Sequence, residues 1–232
     1  MSVLGIGVGP AFGRAAASII PDIVYDGNTK AWYDYQDLTT ITVDGAGRVF
    51  RWNDKLGSGH DLIQANGADM PLLTATGVLF DGVSEVMRVG FLYSQPEQIY
   101  MAFRQVTFTA TNRFFDGFLA NTGRLDQSAV SPNIYAIATA QSADNPNLAI
   151  NTFGILRLLF SGASSSLQIN ETIATLWDCG GGFMNGCSIG SYGGGGSFGN
   201  IEVKEIFLRI EDTAPNQTDI YNYINVHNEL GL

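Results

Sequence analysis

The sequence predicts an all-β fold: a sandwich of two antiparallel sheets closed by one short C-terminal helix. Three observations predict it. Short runs rich in aromatic and β-branched residues recur along the chain, and clusters of Gly, Asn, Asp and Ser separate them at the spacing of an antiparallel sandwich. Glycine supplies 28 of the 232 residues, well above the usual share of about 7%. Charged residues make up only 15%, so Ser, Thr, Asn, Gln and Gly must build much of the surface.

The first segment, residues 1–20, is apolar and glycine-rich. Pro10 and Arg14 interrupt it, and it lacks the cationic start and long apolar core of a secretory signal. It reads as an assembly arm. Val3, Leu4, Ile6, Phe12 and Arg14 are its expected contacts with a neighbouring subunit. Residues 21–232 then form one domain. Its expected strands are KAWYDYQ (30–36), RVFRWND (48–54), QIYMAFRQVTFTA (98–110), NIYAIATA (133–140) and GILRLLFSG (154–162). In TGVLFDGVSEVMRV (76–89), Asp81 and Gly82 tolerate the positive φ of a tight turn, so a hairpin is expected there. In NIEVKEIFLRIED (200–212) the apolar parity changes across Lys204 and Glu205. Either a bulge lies at that point, or Phe207 is also buried and the strand is covered on both faces. Near the end, Asp212 or Thr213 is placed to cap a helix and Pro215 fits its first turn. Ile220, Tyr223, Ile224 and His227 fall on one face of it.

The order of these pieces resembles the concanavalin A-like (laminin G-like) jelly roll over residues 23–232. The matching features are the Trp32 strand, the V-x-x-W-x-D-K-x-G stretch from Val49 to Gly57, and the F-D-G at Phe80–Gly82. The strand pair in FGILRLLFSGASSSLQIN, the strand carrying Val203, Glu205 and Ile206, and the closing helix follow in the family's order. Two positions depart from the pattern: the turn after Gln168 reads INET, and Arg209 stands where many relatives have Tyr. The resemblance implies a jelly-roll sandwich, carbohydrate binding in many members, calcium in some, and a phage or prophage virion setting for this variant. A fibre, spike or decoration protein on the virion surface, head or tail, is therefore expected. It would be made in the host cytoplasm and be homo-oligomeric, a trimer first of all, with the arm gripping other virion proteins. A structural cement or spacer without a ligand is the alternative.

Several chemistries are disfavoured. The formal charge is −10 without a basic cluster, which argues against nucleic acid and anionic lipid. No stretch reaches the roughly 20 apolar residues of a membrane span. Cys179 and Cys187 lack metal-ligand spacing and read as free thiols. The glycine run near Gly193 lacks the lysine of a phosphate loop. His60 beside Asp61 reads as a turn pair, and no nucleophile elbow occurs. Glycosidases of this fold need two carboxylates facing one groove from one strand. Glu202 and Glu205 are the nearest pair, and their odd spacing puts them on opposite faces of a regular strand, so a non-enzymatic protein is expected. For calcium, Asp34, Asp54 and Asp81 lie near strand ends, where each would otherwise hold its own turn. For glycans, Trp177 followed by Asp178 is the candidate exposed aromatic, with Asn185 and Tyr192 nearby in the same glycine-rich region.

Overall fold

The computed structural model describes residues 20–193, 195–210 and 212–232, so the arm residues Val3, Leu4, Ile6, Phe12 and Arg14 lie outside the described residues. The domain is a sandwich of two eight-stranded sheets in which every named pairing is antiparallel. The first sheet runs β14 (Thr175–Trp177), β13 (Ser165–Ile169), β12 (Gly154–Phe160), β8 (Glu97–Gln105), β16 (Asn200–Arg209), β6 (Val78–Asp81) and β5 (Leu72–Leu73), with β1 (Thr29–Asp34) also on β16. The second runs β11 (Ile134–Ile137), β10 (Arg124–Gln127), β9 (Arg113–Asp116), β15 (Gly186–Ile189), β7 (Met87–Gly90), β4 (Leu62–Ile63), β3 (Val49–Trp52) and β2 (Ile41–Val43). Inward side chains from both sheets form the main core, among them Tyr33, Trp52, Phe80, Phe103, Phe114, Leu158 and Ile206. Burying each such side chain contributes about 1.5–3 kcal/mol.

The strand β16 organises the first sheet. Its register shifts between Val203 and Glu205, so the bulge expected from the parity change is present. The same shift is where its neighbour changes: β6 pairs with Asn200–Val203, and β1 pairs with Glu205–Arg209. Before the bulge Ile201 and Val203 face the main core; after it Ile206 and Leu208 do. Phe207 is buried as well, but in a second cluster on the outer face of the sheet. Both alternatives raised by the parity change are thus realised together.

That second cluster lies under α1 (Ala214–His227), whose Ile220, Tyr221, Tyr223 and Ile224 pack on Trp32, Tyr100, Ile155 and Phe207. Trp32 stacks on Phe207 with ring centroids 5.1 Å apart. Pro215 occupies the first turn as expected, but Thr213 makes no side-chain cap. Asp212 is drawn instead to Arg209, fully buried, whose Nε and Nη2 each donate to its carboxylate at 2.8 Å. The same guanidinium donates to the Ile23 carbonyl at 2.9 Å and pairs with Asp26 at 3.1 Å. Arg209 therefore ties the chain entering β1 to the chain leaving β16.

The hairpin expected at Asp81–Gly82 is not formed. The strands on either side, β6 and β7, belong to opposite sheets. Asp81 Oδ1 accepts from the backbone N–H groups of Val83 and Ser84 at 2.7 and 3.1 Å, which shapes an arch between the sheets rather than a two-residue turn. Gly82 carries the arch at φ +75°, with Asn200 2.8 Å from where a Cβ would stand.

Candidate functional site

Two polar constellations sit on the outer faces of the sandwich. On the first sheet, Asp34 ends β1 directly across from Glu205. Asp34 Oδ2 accepts from Lys55 Nζ at 2.7 Å and lies 3.0 Å from His227 Nε2. Glu205 Oε1 accepts from the Trp32 indole at 2.8 Å, and Oε2 accepts from Asn228 Nδ2 at 2.6 Å. Both carboxylates are buried, Glu205 completely. Burial pushes the Glu205 carboxyl up to about 7, reinforced by the Asp34 charge. Burial also works against the Asp34 charge, but the hydrogen bonds of His227 and Lys55 outweigh it and hold that group below the ordinary range. His227 is raised: burial opposes its charge, while the Asp34 hydrogen bond and the two carboxylates favour it. Ligand atoms of Asp34, Glu205 and His227 lie within 4.8 Å of one another, close enough to share a metal ion. Lys55 already neutralises Asp34, and both Glu205 oxygens are taken by donors. The arrangement is a sealed ion-pair network pinning the last turn of α1 to the sheet.

The second sheet is different. Its outward row runs from Arg88 on β7 through Ser188 on β15 to Asp116 on β9, and a parallel row joins Arg113, Asp126 and Tyr135. Arg88 stands 4.8 Å over the Phe118 ring, and Arg113 stands 4.7 Å over Tyr192. Arg124 Nε lies 2.8 Å from Asp126 Oδ2, and Arg113 Nε 3.7 Å from Oδ1. Burial lifts the Asp126 carboxyl to about 6 despite the pull of both arginines. Asp116 is spent on its own loop, accepting from the backbone N–H groups of Gly117, Asn121 and Gly193 at 2.8, 2.6 and 3.2 Å. Ser188 Oγ and Arg88 Nε have no hydrogen-bond partner among the described residues. Beside this row opens a groove of about 500 Å³ lined by Gly90, Phe91, Leu92, Phe118 and Asn185. Gly90 shapes its floor, since a Cβ there would come within 3.1 Å of the Phe118 ring.

The structure separates the residues expected for glycans. Asn185 lines the groove, at φ +51°, and Tyr192 lies on the same outer face under Arg113. Trp177 and Asp178 sit on the other sheet, at the end of its edge strand β14. Trp177, expected as an exposed aromatic, is half-buried: its ring meets Phe160 edge-on at 6.1 Å, and Nε1 donates to the Ala140 carbonyl at 3.1 Å. Asp178 accepts from its neighbour Gly180 N at 2.9 Å. Asp34, Asp54 and Asp81 are not gathered at one point. Asp54 Oδ1 accepts from the backbones of Trp32 and Leu56, Asp81 holds the arch across from Asn200, and Asp34 joins Glu205 and His227. The acidic group that does form, with the glutamate and histidine supplied by β16 and α1, went unrecognised in the sequence. The arginine row was also missed, because β9, β15 and β7 are neighbours in space but far apart in the chain.

No family model matches the chain, and no curated relative does. Solved structures do. A Trypanosoma rangeli sialidase in complex with sialic acid aligns at TM-score 0.60 and 13% identity, over 93% of this chain and 35% of the sialidase. A GH54 α-L-arabinofuranosidase aligns at TM-score 0.58 and 10% identity, over 79% of this chain and 51% of that one. Domain 4 of an extracellular GH43 arabinanase from Geobacillus stearothermophilus, in complex with arabinotriose, aligns at TM-score 0.50 and 11% identity. It is covered over 98% of its length by 84% of this chain. The chain spans about a third of the length of the sialidases it matches. These likenesses show the fold, a β-sandwich of the jelly-roll type. They also overturn the expectation of a non-enzymatic protein, since the matched structures are glycoside hydrolases or parts of them. One premise of that expectation fails independently. The bulge at Lys204 turns Glu202 and Glu205 onto the same outer face, where a regular strand would have separated them.

Proposed function

We propose that this chain is a glycan-binding β-sandwich and that the outer face of its second sheet is the binding surface. The observation that carries the reading is the open groove of about 500 Å³, walled by Phe91, Leu92 and Phe118, on the same outer face as the arginine-capped Tyr192. Apolar and aromatic walls with a few convergent polar groups are the make-up of a saccharide cleft: rings cover the sugar's C–H faces, and Asn185, Arg88 and Arg113 meet its hydroxyls. The arabinanase domain supports the reading, because it matches over almost its whole length and its structure holds arabinotriose. The setting belongs to the same proposal. On the strength of the jelly-roll resemblance and the apolar arm, we place the protein on a phage virion surface as a homo-oligomer, where several weak sites act together.

A glycan array probed with the purified chain tests the site. Reproducible hits that weaken at least tenfold in Phe118→Ala and Tyr192→Ala, but not in Asp178→Ala, support it. A blank array, or hits indifferent to Phe118 and Tyr192, overturns it.

A further inference from the structure

A charge pattern on the binding face specifies the class of sugar, an assignment that rests on the glycan-binding reading. The chain as a whole is strongly acidic, with a formal charge of −10 and lysine only at positions 30, 55 and 204. Yet Arg88, Arg113 and Arg124 converge on the outer face of the second sheet. The two carboxylates among them are already committed. Asp116 serves the backbone of its loop, and Asp126 is shared by Arg113 and Arg124.

Arg88 is left over. It is half-buried and forms no ion pair among the described residues. Nη2 donates to the Phe118 carbonyl at 2.7 Å, and the guanidinium plane lies over the Phe118 ring. Its Nε is buried without a hydrogen-bond partner among the described residues, as is the Oγ of Ser188 directly across the strand pair, so the ligand is met by the guanidinium's outer edge. A partly desolvated cation without an anion is costly, and an incoming carboxylate would offset that cost through charge-assisted hydrogen bonds. The groove beside it offers rings, not charges, for the remainder of such a ligand.

We propose that the face selects an acidic saccharide, one whose sugar ring bears a carboxylate, as in uronic acids. The carboxylate pairs with Arg88, and the ring lodges between Phe91 and Phe118. Arg113, stacked on Tyr192, meets the next acidic residue of the oligosaccharide two strands away, about 10 Å across the sheet.

The test is calorimetric titration of the full chain with trigalacturonate, triglucuronate and trimannuronate, each against the neutral trisaccharide of the parent sugar. At least one acid is expected to bind about tenfold more tightly than its neutral partner at low salt, with the gap narrowing as salt rises. Arg88→Met keeps the stem over Phe118 and removes the charge; it should erase the preference, costing the acid far more affinity than its neutral partner. Arg88→Lys keeps the charge but loses the planar fork and should retain only part of the preference. Both variants are checked for an unchanged unfolding midpoint, and if Arg88→Met fails to fold, Arg88→Lys and the salt dependence still decide. Equal binding of acid and neutral sugars, indifferent to Arg88, overturns the acidic specificity and leaves the glycan-binding reading standing. No binding by any of the six sugars overturns both.

Discussion

The two outer faces of this sandwich are built from the same kinds of residue and come out opposite in character. On the first sheet, Asp34, Glu205, Lys55 and His227 are closed in by α1, and every carboxylate oxygen of Glu205 has a donor. On the second, Arg88, Arg113 and Arg124 are half-buried beside an open groove, and the buried Arg88 Nε and Ser188 Oγ have no partner among the described residues. One face carries α1, and the other borders an open groove. Covering charged groups forces the fold to satisfy them internally, because an unpaired buried charge costs several kcal/mol. Polar residues alone do not mark a site; unsatisfied polar residues beside an open groove do.

Substitutions on the two faces should therefore diverge. The largest effect is expected at Arg209. Arg209→Met leaves Asp212 buried without its bidentate partner and frees the segment held at Ile23 and Asp26. It should cost about 3–5 kcal/mol in urea unfolding. Arg113→Met on the open face leaves Asp126 paired with Arg124 and should cost about 1 kcal/mol. Similar costs at the two positions would break the contrast.

The buried carboxyls also make stability depend on pH. Burial holds Glu205 at about 7, and burial holds Glu97, in the interior, at about 8. In the unfolded chain both carboxyls ionise near 4.5, so between that pH and about 8 the folded state binds more protons and stability falls as pH rises. His227 adds in the same direction: its raised value stabilises fully below about 6.5 and is lost as pH climbs through the folded value. Urea unfolding should show the domain less stable at pH 8 than at pH 5 by several kcal/mol, on the order of 6 if both carboxyls keep their full shifts. Glu97→Gln, which removes one of these groups, should flatten the slope. A stability that rises between pH 5 and 8 would contradict the protonation states assigned to Glu97 and Glu205.

Much of the fold could be read in the residues. The parity change at Lys204 marks the bulge, because a single extra residue must move the apolar set from one parity to the other. Pro215 and the spacing of Ile220, Tyr223 and Ile224 locate the helix and its buried face. The Asp81–Gly82 turn misled, since the same residue types shape a hairpin and an arch, and the arch is set by distant pairings, β6 with β16 and β7 with β15. Less of the site could be read. Asn185 and Tyr192 are marked by the glycine-rich context, but Trp177 is claimed by Phe160 and Ala140, partners far from it in sequence. Arg88, Ser188 and Asp116 become one row only when β15 inserts between β7 and β9, a long-range pairing with no local signature. The same holds for Arg209, an unpatterned charge whose partners include Ile23 and Thr29 at the other end of the domain.

The claim that the uncovered face is the working surface is most directly tested by crystal structures of the chain soaked with trigalacturonate and with arabinotriose. Sugar is expected on the second sheet, with a ring against Phe118 and, for the acid, a carboxylate within hydrogen-bond reach of Arg88. Sugar bound beside Trp177, or on the first sheet next to α1, with the second sheet bare, would refute the claim.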